Sequence, residues 1–405
     1  MAKMTRRASL GVGLGALVTA CGGGGTPTPT PSPIGTATPR PTPSPTPTPT
    51  PTATGSIAAA AAAKNIKFGS AFAWSTAGAN AGSFANPQYA ALLERDCNIL
   101  VPENELKWES IRPSATQFDF TRADDMLAYA QRQNMEMRGH TLLWYVEERF
   151  PGWQRTYDYG TNPRAEAERL IREHVTQVAS RYASSITSWD VVNEAVEPST
   201  GGLRQHSLSA TVGNDPSLLD LAFRSARDVL PTGELVYNDF MDWGSTTHRN
   251  GVLDLLRGFR NRNVPVDTLG IQAHIGFFSN GTAQSIVDAQ RPAMEAWLDQ
   301  VVALGYRLKI TEMDVNDRNR AGTIAQRDAD CATYARGWLD MLLAYNELDE
   351  VLVWGMADRY SWLQNFGTPR ADGTALRPTP YDNDFAPKPL RQTYIDAFNA
   401  ASVRT

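Results

Sequence analysis

The sequence predicts a (β/α)₈ barrel, set behind a cleavable leader and an extended tether. Two observations predict the barrel. From Lys64 onward, eight short strand-like runs alternate with helical patterns, over about 340 residues, the size range of such barrels. In nearly every run, charged, amide and imidazole side chains fall at the C-terminal end. A barrel gathers those ends on one face, whereas a doubly wound sheet, which alternation alone also allows, spreads them along an edge.

The first residues are read as separate from the fold. Lys3, Arg6 and Arg7 precede a small apolar run, Ala8 to Ala20, too short to span a bilayer as a helix. It ends at Val18-Thr19-Ala20-Cys21 and four glycines. Small residues before a Cys are the pattern of a bacterial lipoprotein signal, with Cys21 lipidated and becoming the mature N-terminus. Arg6-Arg7 leaves the twin-arginine and general export routes both open. Residues 22–63 are expected to be a disordered linker. Thr26 to Thr54 is almost wholly Pro and Thr, a composition that stays extended and solvated. Ala58 to Ala63 could begin a helix or continue the tether. The catalytic barrel is placed at residues 64–400.

The strand candidates are Ile66–Phe72, Ile99–Pro102, Glu136–Leu143, Ser188–Asn193, Glu234–Asn238, Leu269–Ala273, Arg307–Thr311 and Val351–Trp354. Apolar spacing near 3.6 residues predicts helices over Arg122–Gln133, Pro163–Tyr182, Pro216–Leu230, Thr246–Asn263, Ile286–Leu304, Ala325–Tyr345 and Pro389–Ala400. Asn162-Pro163 and Asp215-Pro216 read as an N-cap followed by a first-turn proline.

Composition narrows the function. A net charge of -5 gives no basic footprint for nucleic acid. No CxxC or HExxH motif and no compact His cluster occurs, so neither a metal nor an organic cofactor is expected. Cys97 lies on an apolar run and Cys331 in a helical pattern, and two separate buried thiols are expected there. The chain has ten Trp, and aromatic faces suit the apolar C–H faces of sugars.

Two glutamates end two of the apolar runs: Glu194 in Trp189-Asp190-Val191-Val192-Asn193-Glu194, and Glu312 in Leu308-Lys309-Ile310-Thr311-Glu312. Two carboxylates across one cleft are the minimum equipment for hydrolysing a glycosidic bond. His274 follows a strand with Gln272 two positions earlier, so both are expected on one side. His274 is the expected hydrogen-bond donor to Glu312, with Asp314 a candidate partner for its ring.

Several separated motifs together resemble family 10 of the glycoside hydrolases, the endo-1,4-β-xylanases, over about Lys64 to Ala400. The resemblance implies that Glu194 is the acid/base and Glu312 the nucleophile of a retaining mechanism. Asn193 then donates to a sugar 2-hydroxyl. Arg138-Gly139-His140-Thr141-Leu142-Leu143-Trp144 puts His140 at the sugar beside the cleaved bond and Trp144 in the wall. Asn104 and Lys107 match the glycone-side hydrogen-bonding set, with Glu103 in a supporting position behind them. Asn238, Asp239 and Asp314 are read as supporting residues too, and Trp354 and Trp362 as the stacking platform. The partner implied is xylan or xylo-oligosaccharide. The protein is expected to be a monomer that meets a membrane only through its lipid anchor.

Three positions depart from the family pattern: Tyr145 stands where His is usual, Glu147 where Gln is frequent, and Leu363 where Arg follows the last Trp. They put the outer subsites in question, as does the long Pro- and Asp-rich segment Pro369 to Ala386. A β-1,4-glucanase on the same barrel remains an alternative. So does a surface lipoprotein that only binds polysaccharide.

Overall fold

The computed structural model describes residues 55–241 and 244–405. The leader, Cys21 and the Pro/Thr-rich stretch lie outside the described residues. Ten strands form one sheet: β1 (Lys67–Phe72), β2 (Ile99–Pro102), β3 (Glu136–Met137), β4 (Gly139–Trp144), β5 (Ser188–Asn193), β6 (Glu234–Asp239), β7 (Thr268–Ile271), β8 (His274–Gly276), β9 (Arg307–Asn316) and β10 (Leu348–Val353). Every pairing is parallel, in the order β3-β2-β1-β10-β9-β7-β6-β5-β4, with β8 on β9.

The two ends of that path, β3 and β4, are separated only by Arg138, whose N–H donates to the Leu100 carbonyl at 2.8 Å. The sheet therefore closes on itself. Counting β3 with β4, and β7 with β8, gives the eight barrel strands the alternation predicts. Two of the expected strands are broken rather than continuous. The third is interrupted at Arg138. The sixth stops at Ile271 and resumes at His274 because Ala273 is left-handed, with φ 57°. The seventh runs five residues past its expected end, to Asn316.

The helices Pro163–Tyr182 and Pro389–Ala400 have the predicted bounds. Asn162 caps the first of these from its side-chain oxygen, as its Asn-Pro signal suggests. The Asp215-Pro216 signal works differently: the helix begins at Ser217 with Pro216 as its cap residue, and Asp215 accepts from the Ser217 N–H at 2.8 Å. A helix at Pro87–Asp96 was not expected. Its polar residues weaken the apolar period.

The linker ends earlier than position 63. Ser56 caps a helix, Ile57–Ala62, that buries Ile57, Ala58 and Ala61. The Ile57 N–H donates to buried Asp96, and Arg391 holds the same carboxylate from the last helix. Cys97 and Cys331 are both buried and free.

Alternate strand residues split between two cores. Phe68 packs outward on Tyr394 and Phe398 of the last helix. Its neighbours in the fold, Ala71, Ile99, Val101 and Leu352, form a separate small cluster with Trp354, against which Trp362 packs. The apolar runs also carry buried charges. Arg138 pairs with Asp190 and Glu350, and Lys309 with Glu234, Asp349 and Glu350. Such groups are tolerated inside a fold only when paired.

Candidate active site

β5 and β9 bring Glu194 and Glu312 to the face formed by the strand ends. Glu194 is left-handed, with φ 54°, and its N–H donates to the Asn238 carbonyl at 2.9 Å. Successive strand residues normally point to opposite faces. The reversal at Glu194 lets Asn193 and Glu194 serve the same cleft.

Three amides link the two carboxylates. Asn238 Nδ2 donates to Glu312 Oε1 at 2.7 Å, and Gln272 Nε2 donates to Glu194 Oε1 at 2.9 Å. Both amides must therefore present N–H. Asn193 meets them with its oxygen, at 3.0 and 3.2 Å, which leaves its NH₂ as a donor for a sugar hydroxyl. Thr311 donates to Asn238 Oδ1 at 2.7 Å and fixes that amide. Gly270 makes room for it, since a Cβ there would lie 2.3 Å from Asn238 Oδ1.

The two glutamates sit in opposite electrostatic settings. Burial lifts the Glu194 carboxyl above its ordinary value, opposed by the Gln272 hydrogen bond. The nearby negative charges of Asp239 and Glu312 raise it further, while the Trp144 indole N–H opposes. Burial also acts to raise Glu312, but the hydrogen bond from His274 and the fields of His140 and His274 hold it below its ordinary value. One carboxyl is thus biased toward the acid and the other toward the anion.

His274 stands between two carboxylates. Its Nε2 lies 3.2 Å from Glu312 Oε2 and its Nδ1 3.0 Å from Asp314 Oδ1. Burial acts to lower its pKa, but the two anions, Asp314 first, push it up to about 10. Gln272 and His274 both face the glutamate pair, as their spacing suggests. Ala273 reverses the chain between them, and they serve different glutamates. Asp314 also accepts from Trp362 Nε1 at 2.8 Å, so one carboxylate orients both the imidazole and an indole of the platform.

The remaining predicted residues converge on the same face. His140 places Nδ1 2.9 Å from Asp190 Oδ2, and its ring lies edge-on to Trp354 at 5.2 Å. Asp190 is kept ionised against its burial chiefly by Arg138. It therefore accepts from His140 Nδ1–H and leaves Nε2 as the other ring nitrogen. Lys107 Nζ donates to Asn104 Oδ1 at 2.9 Å and lies 4.7 Å from the Trp144 ring centre. Burial raises Glu103, beside Lys107. Asp239 accepts from the Tyr237 hydroxyl at 2.5 Å and lies 3.3 Å from His248 Nε2.

The departures from the family pattern mostly point away from the cleft. The Tyr145 ring is wholly buried, 4.3 Å from that of His206, so it cannot touch a sugar. Glu147 accepts from the N–H and hydroxyl of Ser207 and braces a loop. Leu363 is buried, and its carbonyl accepts from Arg318 at 2.8 Å. Pro369 to Ala386 is tied down by Arg370, which donates to the Asp317 carbonyl at 2.5 Å, and by Arg377, which pairs with Asp328 and Asp358. Sequence reasoning missed Arg138, Asp190, Tyr237 and Thr311. A charge inside an apolar strand run was the available signal for the first two.

A parallel barrel whose strand-end face holds one glutamate as an acid and another as an anion defines a glycoside hydrolase. The chain belongs to that class's family 10: the family described as "Glycosyl hydrolase family 10" matches residues 56–397. Endo-1,4-beta-xylanase B of Thermotoga neapolitana is 28% identical over 302 residues, covering 75% of this chain and 81% of that protein. Endo-1,4-beta-xylanase C of Paenibacillus barcinonensis is 27% identical over 351 residues; the match takes in 82% of this chain but only 31% of that longer protein. Among solved structures, native xylanase 10B from Thermotoga maritima superposes with a TM-score of 0.72 at 28% identity, covering 85% of this chain and 98% of that one. Xylanase 10B from Thermotoga petrophila RKU-1 in complex with xylobiose gives 0.73 at 28% identity, covering 85% and 97%.

Proposed function

We propose that the chain is an endo-1,4-β-xylanase that cleaves internal bonds of xylan with retention. The observation that carries this reading is the opposite bias of Glu194 and Glu312 across the Asn193–Asn238–Gln272 amides. Glu312, held as the anion, attacks the anomeric carbon while Glu194 gives its proton to the leaving oxygen. A covalent glycosyl-enzyme forms. Glu194, now the anion, takes a proton from water, whose oxygen attacks the same carbon and displaces Glu312. His140, Lys107 and Asn104 hold the sugar on the glycone side, Asn193 binds its 2-hydroxyl, and Trp354 and Trp362 pack on its faces. The xylanases among the relatives, and a structural relative solved with xylobiose, support xylan over β-1,4-glucan as the substrate.

Reducing-sugar release from xylan by wild type, Glu194→Ala and Glu312→Ala tests the reading. Folded variants with near-normal activity would overturn it. NMR of the first-released anomer tests retention separately, and an initial α-product rejects it.

We further propose export, lipidation at Cys21 and action as a monomer. The positive n-region, the apolar run and the small residues before Cys21 support the first two. Membrane partition of the full chain, lost in Cys21→Ser, is the expected result. Equal partition of the two chains would reject the anchor.

A further inference from the structure

A cavity of about 380 Å³ opens beside Trp362, which also packs against the small inner core. His274, Asp314 and Trp362 form the side nearest the glutamate pair; Arg318, Phe278, Phe366 and Leu363 are among the residues lining the rest. Only four large apolar side chains are strongly exposed among the described residues, and two of them, Phe278 and Phe366, flank this one cavity. Phe366 and Trp362 lie 4.6 Å apart between ring centres. The cavity therefore offers aromatic faces of the kind sugar rings pack against.

Arg318 is its charged group, and it is incompletely partnered. Its Nη2 donates to the Leu363 carbonyl at 2.8 Å, while its Nε is screened from solvent with no acceptor. Its Nη1 rests against Gly367, where a Cβ would come within 2.3 Å, so the bare glycine backbone seats the guanidinium. The arginines around it are all paired to carboxylates: Arg320 with Asp330, Arg327 with Asp317, and Arg370 with Asp372. Among the described residues no carboxylate forms an ion pair with Arg318. Asp314, on the side nearest the glutamates, already faces His274 Nδ1 at 3.0 Å and accepts from Trp362 Nε1. The positive charge is thus uncompensated inside an aromatic-walled pocket that opens beside the nucleophile. A planar guanidinium is suited to a carboxylate.

We propose that this cavity is a subsite for an acidic sugar branch, a uronic acid carried on the xylan backbone near the bond cleaved, with Arg318 binding its carboxylate and Phe366 and Phe278 packing on its ring. The proposal rests on the xylanase reading and narrows it to acid-branched substrates. It makes Arg318 a specificity residue with no part in the bond chemistry.

The test measures kcat/KM on three matched xylo-oligosaccharides: one bearing a glucuronic acid branch, the same one with the carboxyl reduced to an alcohol, and the unbranched chain. Wild type, Arg318→Gln and Arg318→Lys are compared. Loss of a charge-assisted contact at a partly open site should cost Arg318→Gln about 10-fold on the acidic substrate. The other two substrates should stay within about twofold by the same reasoning, and Arg318→Lys should recover part of the loss. Equal losses on all three substrates would mean that Arg318 only braces the loop at Leu363, and would overturn the proposal. So would an unchanged rate on the acidic substrate. If wild type cleaves none of the three substrates, the xylanase reading itself fails, which is a different outcome.

Discussion

His274→Gln should separate the two glutamates on a pH axis. Glutamine keeps an amide donor of similar reach but removes the imidazolium that faces Glu312 at 3.2 Å. Hydrogen bonds to a charged group contribute about 1.5–3 kcal/mol. Losing the charged donor should therefore destabilise the Glu312 anion by about 1.5–3 kcal/mol and raise its pKa. The acid limb of the kcat/KM profile reports the group that must be ionised in the free enzyme. It should move up, while the basic limb, set by Glu194, stays nearly in place. Stability gives a second readout. The folded His274 titrates at about 10, well above about 6.5 for the unfolded chain. Its contribution is then complete below about pH 6.5 and disappears as pH rises toward 10, so the stability gap between wild type and variant should close over that window. A kcat/KM that drops by one factor at every pH, with both limbs unmoved, would refute the assignment of His274 as the group that holds Glu312 ionised.

Three further substitutions probe other parts of the site. Glu194→Gln should abolish most xylan hydrolysis while raising Tm at alkaline pH. Burial raises the native Glu194 pKa, so its ionisation works against the fold as pH rises, and a Tm gain of equal size at pH 4 and pH 8 would contradict this. Asp190→Asn removes the anion shared by Arg138 and His140. Urea unfolding should show a loss of about 3 kcal/mol or more, because a buried Arg loses its main partner, and a loss near zero would disprove the pairing. Gly270→Ala puts a Cβ where the Asn238 amide oxygen sits. It should lower kcat by about 10-fold or more, as loss of a hydrogen bond to a charged group does, with a change in Tm similar to that of Asn238→Ala. An active Gly270→Ala enzyme would show that Asn238 is not held in place by this contact.

Residues whose chemistry shows in a local pattern were legible in the sequence. Glu194, Glu312 and His274 end apolar runs, and a barrel puts such ends on one face; His140 was legible through its local motif. Residues whose partners are distant in sequence were not. Asp190 looks like an interruption of a strand until Arg138 and His140, roughly fifty positions away, close on it. Tyr145 and Leu363 read as altered cleft walls because a motif gives position but not direction. Tyr145 instead turns into the core, and Leu363, though buried, lines the cavity beside Trp362. The Ile57–Ala62 helix was read as possible tether because a run of alanines does not reveal what it packs on. Its fixed points are Asp96 and, through that carboxylate, Arg391.

The segments around Glu194 and Ala273 each depart from regular strand geometry at one residue, and the departures have a common consequence. Glu194 and Ala273 each take left-handed backbone angles that cost a non-glycine residue about 1–3 kcal/mol. Without them, alternation would send Asn193 and Glu194 to opposite faces, and Gln272 and His274 to one spot. With them, Asn193 and Glu194 share the cleft, while Gln272 reaches Glu194 and His274 reaches Glu312. The Glu194 N–H donates to the Asn238 carbonyl and the Gln272 N–H to the Asp239 carbonyl, so β6 holds both reversals. The same strand supplies Asn238 to Glu312 and Asp239 to the field around Glu194. β6 carries neither glutamate, yet it fixes the geometry and the protonation bias of both. Disturbing its register should therefore damage catalysis more than its distance from the scissile bond suggests.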